Sequence, residues 1–311
     1  MIKYFDFEKS IEQIDKKIAD LKNIGEDINI KKIEQYNLEK KNLFEKIYSK
    51  LNAWQKVQIA RHPNRPHSIN YINSIFNKFI SLSGDKKFRE DESILGGIGS
   101  IGDQSFMVIG NEKGSTTETR IKHNFGMAKP EGYRKAQRLM NLAEKFNLPI
   151  LTFVDTAGAF PGKDAEERGQ SESIASSIAT CLKVKTPIIS IIIGEGGSGG
   201  AIALATADKI LMLENSIYSV ISPEGCSSIL WRSPEFVQQA AESLKLTAVD
   251  CLNLGIIDEI IQEISGGAHR FVDEQIVIVK KSILKNFEVL KKINSNDLVN
   301  FRNEKFLNIT K

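Results

Sequence analysis

Gly194-Glu-Gly-Gly-Ser-Gly-Gly200 follows the nearly continuous apolar run Ile188 to Ile193 and leads directly into the small-residue stretch Ala201 to Ala207. That order predicts strand, glycine loop, helix. Residues without a Cβ let a backbone turn sharply and approach a ligand closely, and the free N–H groups at a helix start present partial positive charge. Such a loop binds or stabilises negative charge. A second glycine-rich turn, Asp155-Thr-Ala-Gly-Ala-Phe-Pro-Gly162, follows the apolar run Ile150 to Val154. Two strand ends therefore carry special loops, and an active site is expected.

Outward from these loops, further short apolar runs predict strands at Phe106 to Ile109, Ile210 to Leu213, Ile217 to Val220 and Ile256 to Ile261. Helical spacing marks Gly132 to Phe146, Glu166 to Leu182 and Phe271 to Leu290, the last of which closes the domain. Gly102-Asp103, between Ile98 to Ile101 and Phe106 to Ile109, reads as a hairpin turn, so the first two strands are antiparallel neighbours. Strands such as Ile188 to Ile193 are apolar at successive positions, which requires a sheet covered on both faces. The fold class is α/β.

The first sixty residues differ. Phe7, Ile11, Ile14, Ile18 and Leu21 recur at steps of four and three, and after Gly25 to Asn29 a second helical pattern runs through Ile33, Leu43, Phe44, Ile47, Leu51 and Trp54. A helical hairpin is predicted. His62-Pro-Asn-Arg-Pro66 interrupts helix, because each proline removes a donor and restricts the residue before it. The domain boundary is placed there, giving a helical region over 1–62 and a larger α/β domain over 63–311.

Composition limits the function classes. The 311 residues carry 42 Lys plus Arg against 39 Asp plus Glu, a net charge of +3, too small to imply nucleic-acid binding. No apolar run approaches the ~20 residues that cross a bilayer, and the first ten residues lack a signal-peptide hydrophobic region, so no membrane role and a cytoplasmic location are expected. Cys181, Cys226 and Cys251 are three and far apart, which excludes a disulfide framework and a Cys-x-x-Cys zinc site. Lys113, Arg120, Lys122, His123 and Lys129 make a loosely basic stretch that reads either as a solvated loop or as a surface for an acidic ligand.

Three chemistries fit the first glycine loop. Gly194-x-Gly196-x-x-Gly199 matches a dinucleotide fingerprint, with Glu214 after the next strand, although the following helix spans only about two turns. Gly196-Gly-Ser-Gly-Gly200 also matches Gly-x-Ser-x-Gly, the turn that exposes a nucleophilic serine; Ser198 would then need a base, and His269 is the one downstream histidine. The third reading uses backbone alone: the adjacent N–H groups of Gly199 and Gly200 form an oxyanion hole and no side-chain nucleophile is needed. On these residues alone all three stand.

Asp155-Thr-Ala-Gly-Ala-Phe-Pro-Gly162, Ala165-Glu-Glu-Arg-Gly-Gln-Ser-Glu172, Ile193-Gly-Glu-Gly-Gly-Ser-Gly-Gly-Ala201 and Tyr218-Ser-Val-Ile-Ser-Pro-Glu-Gly-Cys226, in that order, resemble the carboxyltransferase α subunit of bacterial-type acetyl-CoA carboxylase. Asn124-Phe-Gly-Met127, Pro130-Glu-Gly-Tyr-Arg-Lys135, Gly266-Gly-Ala-His-Arg270, Phe5-Asp-Phe-Glu8 and Ala53-Trp-Gln55 extend the likeness over nearly the whole chain. Ala157 departs from it, standing where the family usually has proline. The resemblance implies a crotonase-like fold (the ClpP/crotonase superfamily) of repeated β-β-α units with the helical hairpin added. It implies transfer of a carboxyl group from carboxybiotin, tethered to a biotin carboxyl carrier protein, to acetyl-CoA, giving malonyl-CoA for fatty-acid synthesis. A separate biotin carboxylase uses ATP to load the biotin. The resemblance further implies a partner β subunit that carries the zinc, in an α2β2 assembly, and no metal in this chain. Gly199 and Gly200 would form the oxyanion hole, and Gly158, Ala159, Gly196, Gly197 and Ser198 would line the carboxybiotin pocket. Arg168 and Arg232 could orient an anion, although Arg168 beside Glu166 and Glu167 also reads as a structural ion pair. Related carboxylases of propionyl-CoA share this chemistry, and a serine hydrolase using Ser198 is the alternative of a different class.

Overall fold

Lys40 Nζ donates to Asp15 Oδ1 at 2.9 Å, although residues 25 apart on one straight helix would be separated by about 37 Å. The helical stretch α1 (Lys9–Tyr48) is therefore doubled back on itself. Ile14, Ile18 and Ile33 close the seam, and the reversal falls where Asn29 Nδ2 reaches the Leu21 carbonyl at 3.3 Å. This is the predicted hairpin, except that its second arm ends at Tyr48: Leu51 lies outside helix and Trp54 belongs to the next one, because Asn52 caps a new start there. The structure is a computed structural model that describes residues 3–309, with the side chains of 25–28 outside the description. Two short helices follow, α2 (Ala53–Ala60) and α3 (Ser68–Ile75), separated by the proline-bearing segment at 62–66. Asn52 caps α2 by accepting the Gln55 amide at 2.8 Å.

The sheet begins with β1 (Lys78–Ser81), β2 (Ile94–Ile101) and β3 (Gln104–Asn111), all antiparallel neighbours. Ile101 pairs with Gln104 across the predicted Gly102-Asp103 turn. After α4 (Thr117–Lys122) and α5 (Pro130–Lys145), the pattern becomes parallel: β4 (Ile150–Thr156), α6 (Lys163–Glu166), α7 (Gln170–Lys183), β5 (Ile188–Gly197), α8 (Ser198–Ala205), β6 (Lys209–Leu213) and β7 (Ile217–Ser219). The chain then runs through α9 (Pro223–Leu230), α10 (Val237–Ser243), α11 (Ala248–Asn253), β8 (Glu259–Ile261), α12 (Val272–Leu290) and α13 (Ser295–Asn308). Strand order is β1-β2-β3-β4-β5-β6-β8, with β7 paired to the far end of β5.

Both faces of the sheet are covered, which is why β4 and the first nine residues of β5 are buried without alternation. On one face Ile150, Val154, Ile188 and Ile192 pack with Leu139, Met140, Ala201 and Leu204; on the other Leu151, Phe153, Ile189 and Ile191 pack with Tyr71, Ile75, Ile283 and Phe287.

Three sequence expectations are corrected. The helix predicted over Glu166 to Leu182 is two pieces, α6 and α7. The strand predicted over Ile256 to Ile261 shrinks to Glu259–Ile261, since Ile256 and Ile257 return to Cys251 by backbone hydrogen bonds. The domain does not close at Leu290, because α13 packs back onto it and buries Arg302.

Candidate active site

β4 and β5 are parallel neighbours with a register shift between Val154 and Thr156: Val154 pairs with Ile192, but Thr156 pairs with Gly196. The longer β5 side is thereby pushed out, and the loops leaving both strands lie against each other. A side chain on Gly197 would run into the Ala157 carbonyl. A Cβ on Gly200 would sit 2.8 Å from Ala159 N and 2.8 Å from Gly158 C. Close approach of two backbones is what fixes glycine at these two positions.

α8 starts at this junction. No side chain caps it, and the first N–H groups of a helix, here those of Ser198, Gly199 and Gly200, have no intrahelical acceptor a turn earlier. Unpaired first-turn donors at the positive end of a helix dipole favour an anion. Ser198 takes φ 52°, an uncommon conformation for a residue with a side chain and one that recurs at functional turns. In front lies a cleft of about 630 Å³ lined by Ala157, Gly158, Ala159, Ser198, Gly199 and Val220, with Arg61, Ser222 and Glu224 at its polar side. An apolar lobe of about 280 Å³ continues from Ser198 and Gly199 past Ile202, Tyr218 and Ile256. Small backbone walls, an apolar lobe and unpaired amides suit a flat, largely apolar head group with one oxygen that becomes charged.

A charge network beneath the loops holds them in register. Asp155 Oδ1 accepts the Glu195 amide at 2.9 Å and the Lys113 ammonium at 2.7 Å, while Asp155 Oδ2 pairs with His67 Nδ1 at 3.1 Å. Lys113 also reaches Glu195 Oε2 at 2.6 Å, and Arg61 bridges Glu195 and Glu224, each at 2.6 Å. Burial alone would raise the Asp155 and Glu195 carboxyls; the cations beside them outweigh it and hold both below the usual carboxylate range. Asp155 and Glu195 lie inside the quoted motifs, and Lys113 belongs to the basic stretch, where it serves neither as solvated loop nor as ligand surface but pairs with these two carboxylates; nothing in the sequence singles out Arg61 and His67, which flank the proline-bearing segment.

The match to known proteins is direct. A family model described as acetyl co-enzyme A carboxylase carboxyltransferase-like matches residues 4–310. The chain is 53% identical to the acetyl-coenzyme A carboxylase carboxyl transferase subunit alpha of Paramagnetospirillum magneticum, over 97% of this chain and 96% of that one. It is 50% identical to the protein of the same name from Zymomonas mobilis, over 99% of each. The chain belongs to the acetyl-CoA carboxylase carboxyltransferase α-subunit family. Among solved structures it resembles transcarboxylase 12S, with a TM-score of 0.56 and 14% identity, over 72% of this chain and 44% of that one. The β subunit of Pseudomonas aeruginosa geranyl-CoA carboxylase gives 0.54 and 18%, over 73% and 45%. These likenesses identify the fold as crotonase-like, and the chain is a carboxyl-transferring enzyme of the α-subunit family.

Within that family the site residues named from sequence fall into distinct places. Gly158, Ala159, Ser198 and Gly199 line the cleft. Gly200 is buried behind Gly158 and Ala159. Gly196 and Gly197 do not line the cleft; they let β5 pack against Tyr218 and the Ala157 carbonyl. Arg168 is away from the cleft, bound to the buried Glu131 at 3.1 Å, with Asp164 at 3.4 Å and the Phe88 ring 5.0 Å below it. It is the structural ion pair. Arg232 is exposed beyond the end of α9 and has no ion partner among the described residues. His269 cannot serve Ser198: it is buried against His62, ring centroids 4.0 Å apart, and lines none of the cavities around Ser198. Among the described residues no group of three or more His, Cys, Asp or Glu side chains could hold a metal ion, and no helix is long and apolar enough to cross a membrane.

Proposed function

We propose that this chain is the α subunit of an acetyl-CoA carboxylase carboxyltransferase, acting on carboxybiotin carried by a biotin carboxyl carrier protein and on acetyl-CoA, with malonyl-CoA as product. The observation that carries the reading is the uncapped start of α8, Ser198 to Gly200, facing a cleft walled by the second glycine loop. Gly158, Ala159, Ser198 and Gly199 would hold the biotin head, which supplies the carboxyl group when bound. The Gly199 and Gly200 amides would stabilise negative charge on an oxygen placed before them, and a preorganised pair of this kind acts without reorganising during the reaction. Closure of the cleft by a partner would exclude water from that point and strengthen the interaction. Ser198 supplies a small side chain and no nucleophile.

The cleft would then be half of a site, completed by a partner. Val220 is 75% exposed beside it, and Ile229 and Leu230 on α9 are 68% and 66% exposed. Exposed apolar residues, one of them in the cleft lining and two on the helix that follows it, support a partner surface. The partner is the zinc-bearing β subunit, which would close the cleft and hold acetyl-CoA in an α2β2 assembly, with a separate ATP-using biotin carboxylase, in the cytoplasm. The helical region over 1–62 is an addition to the carboxyltransferase domain over 63–311.

The test is carboxyl transfer between malonyl-CoA and free biocytin, measured with this chain alone, with a zinc-ribbon β subunit alone, and with the two mixed. Activity confined to the mixture is expected. Activity of this chain alone, or none in a demonstrably assembled mixture, overturns the reading.

A further inference from the structure

Tyr133, one turn into α5, is fully buried, and its hydroxyl has no hydrogen-bond partner in the structure. Burial pushes that hydroxyl far above the ordinary range of a tyrosine, so it stays a neutral O–H. The point where a Cβ on Gly200 would stand lies 3.0 Å from Tyr133 Oη, 2.8 Å from Ala159 N and 2.8 Å from Gly158 C. The Ala159 amide also lacks an acceptor. An orphan hydroxyl, able to accept, and an orphan N–H donor thus both lie within about 3 Å of the point where a Gly200 Cβ would stand.

The ring itself is held firmly. It packs in the core with Ala128, Ala136 and Ala201. The first turn of α5 is clamped by Glu131, which takes Arg89 at 2.9 Å and Arg168 at 3.1 Å, and by Asp91, whose Oδ2 accepts the Lys129 amide at 2.7 Å. Phenylalanine would fill the same ring volume without burying an unsatisfied hydroxyl, which is costly to a folded protein. A polar group kept at such a cost beside a reaction centre points to a use outside the resting state.

We infer that Tyr133 is a positioning residue for carboxyl transfer: when negative charge enters the oxyanion hole, the second glycine loop settles against α8, the Ala159 N–H donates to Tyr133 Oη, and the Gly200 amide is thereby fixed. This rests on the Gly199 and Gly200 reading above. It links Arg168 to the reaction through structure, since Arg168 holds Glu131, Glu131 holds α5, and α5 carries Tyr133.

Tyr133→Phe in the assembled α/β enzyme tests it. The expected result is a fall of about tenfold in kcat for transfer from malonyl-CoA to biocytin, the size of one lost hydrogen bond. KM for malonyl-CoA stays within about twofold, and the unfolding midpoint stays equal or rises, because the variant removes an unsatisfied buried group. Exchange of the Ala159 amide should slow when biocytin is added to the wild type but not to the variant. A kcat within about twofold of wild type, a loss of rate that follows a lowered unfolding midpoint, or equal Ala159 exchange in both proteins overturns the inference. A wild-type mixture without transfer sinks the proposed function instead, and this inference with it.

Discussion

Asp155 Oδ1 accepts the backbone N–H of Glu195 at 2.9 Å, tying the end of β4 to the glycine loop of β5. The same carboxylate fills the space where a Gly194 side chain would be, so the two strand ends are locked together by one side chain. Asp155→Ala would leave the half-buried Lys113 with one carboxylate in place of two and leave the Glu195 amide without its carboxylate. We expect it to cost about 3 kcal/mol, as removing one member of a buried ion pair does, and to lower transfer by loosening the loop. Denaturant unfolding of the purified chain measures the first effect. A loss below about 1 kcal/mol would show that the network is not what holds the loops.

Gly199 is the accessible donor of the pair. Its surroundings are open, the nearest contacts of an added Cβ being Ile174 side-chain carbons at 3.4 and 3.5 Å, so a substitution there changes the amide more than the packing. Gly199→Pro should reduce transfer by about 10²–10³ with the α/β complex still assembling, the effect of deleting one oxyanion donor. Ser198→Ala should keep most of the activity in the same assay, since it leaves every amide in place.

The glycine loops, both parallel strands that carry them, the hairpin at Gly102-Asp103 and the N-terminal helical hairpin are legible in the sequence because each is a local pattern. Apolar runs, turn residues and helical spacing act over a few residues. The charge network was not legible, because Arg61, His67, Lys113, Asp155 and Glu195 meet through strand order and not through spacing. α13 escaped for a related reason: its inward face carries Leu298 and Arg302, and a buried arginine looks like a surface residue until its partner is known. Gly196 and Gly197 read as ligand-pocket residues because a glycine serving close packing and one serving a ligand are identical in sequence.

His269 predicts an acid-side loss of stability. Burial, with the charges around it, pushes its imidazole down from the model-peptide value of 6.5 to about 2, and His62 stacked on it is also lowered. The folded state therefore binds fewer protons than the unfolded state below pH 6.5. The stability held in this neutral ring is complete above that pH and falls as pH drops from 6.5 toward 2. Between pH 7 and pH 5 the loss should be about 2 kcal/mol. His269→Phe should flatten the unfolding midpoint over that interval; an unchanged slope would assign the acid sensitivity to other groups.

Arg302 is where the last helix attaches to the sheet. Its guanidinium makes a two-pronged contact with Asp208, Nε to Oδ1 and Nη2 to Oδ2, both at 2.8 Å, in side chains that are 0% and 4% exposed. The remaining donors reach the carbonyls of Val184 at 2.8 Å and Thr186 at 3.1 Å, and that of Cys181. One planar fork thus joins α13 to the end of α7 and to the turn before β6. Lysine retains the charge but offers a point donor, which cannot satisfy a carboxylate and three carbonyls from one position. Arg302→Lys should therefore cost about 2–3 kcal/mol, and Arg302→Ala about 3–5 kcal/mol, because the buried Asp208 carboxylate loses its cation and keeps only the Ile188 N–H. Arg302 lines neither lobe of the cleft, so transfer measured well below the new unfolding midpoint should match wild type. A variant that kept its midpoint would show α13 to be held by Leu298 and its apolar neighbours, and one that kept its midpoint but lost transfer would place Arg302 in the reaction.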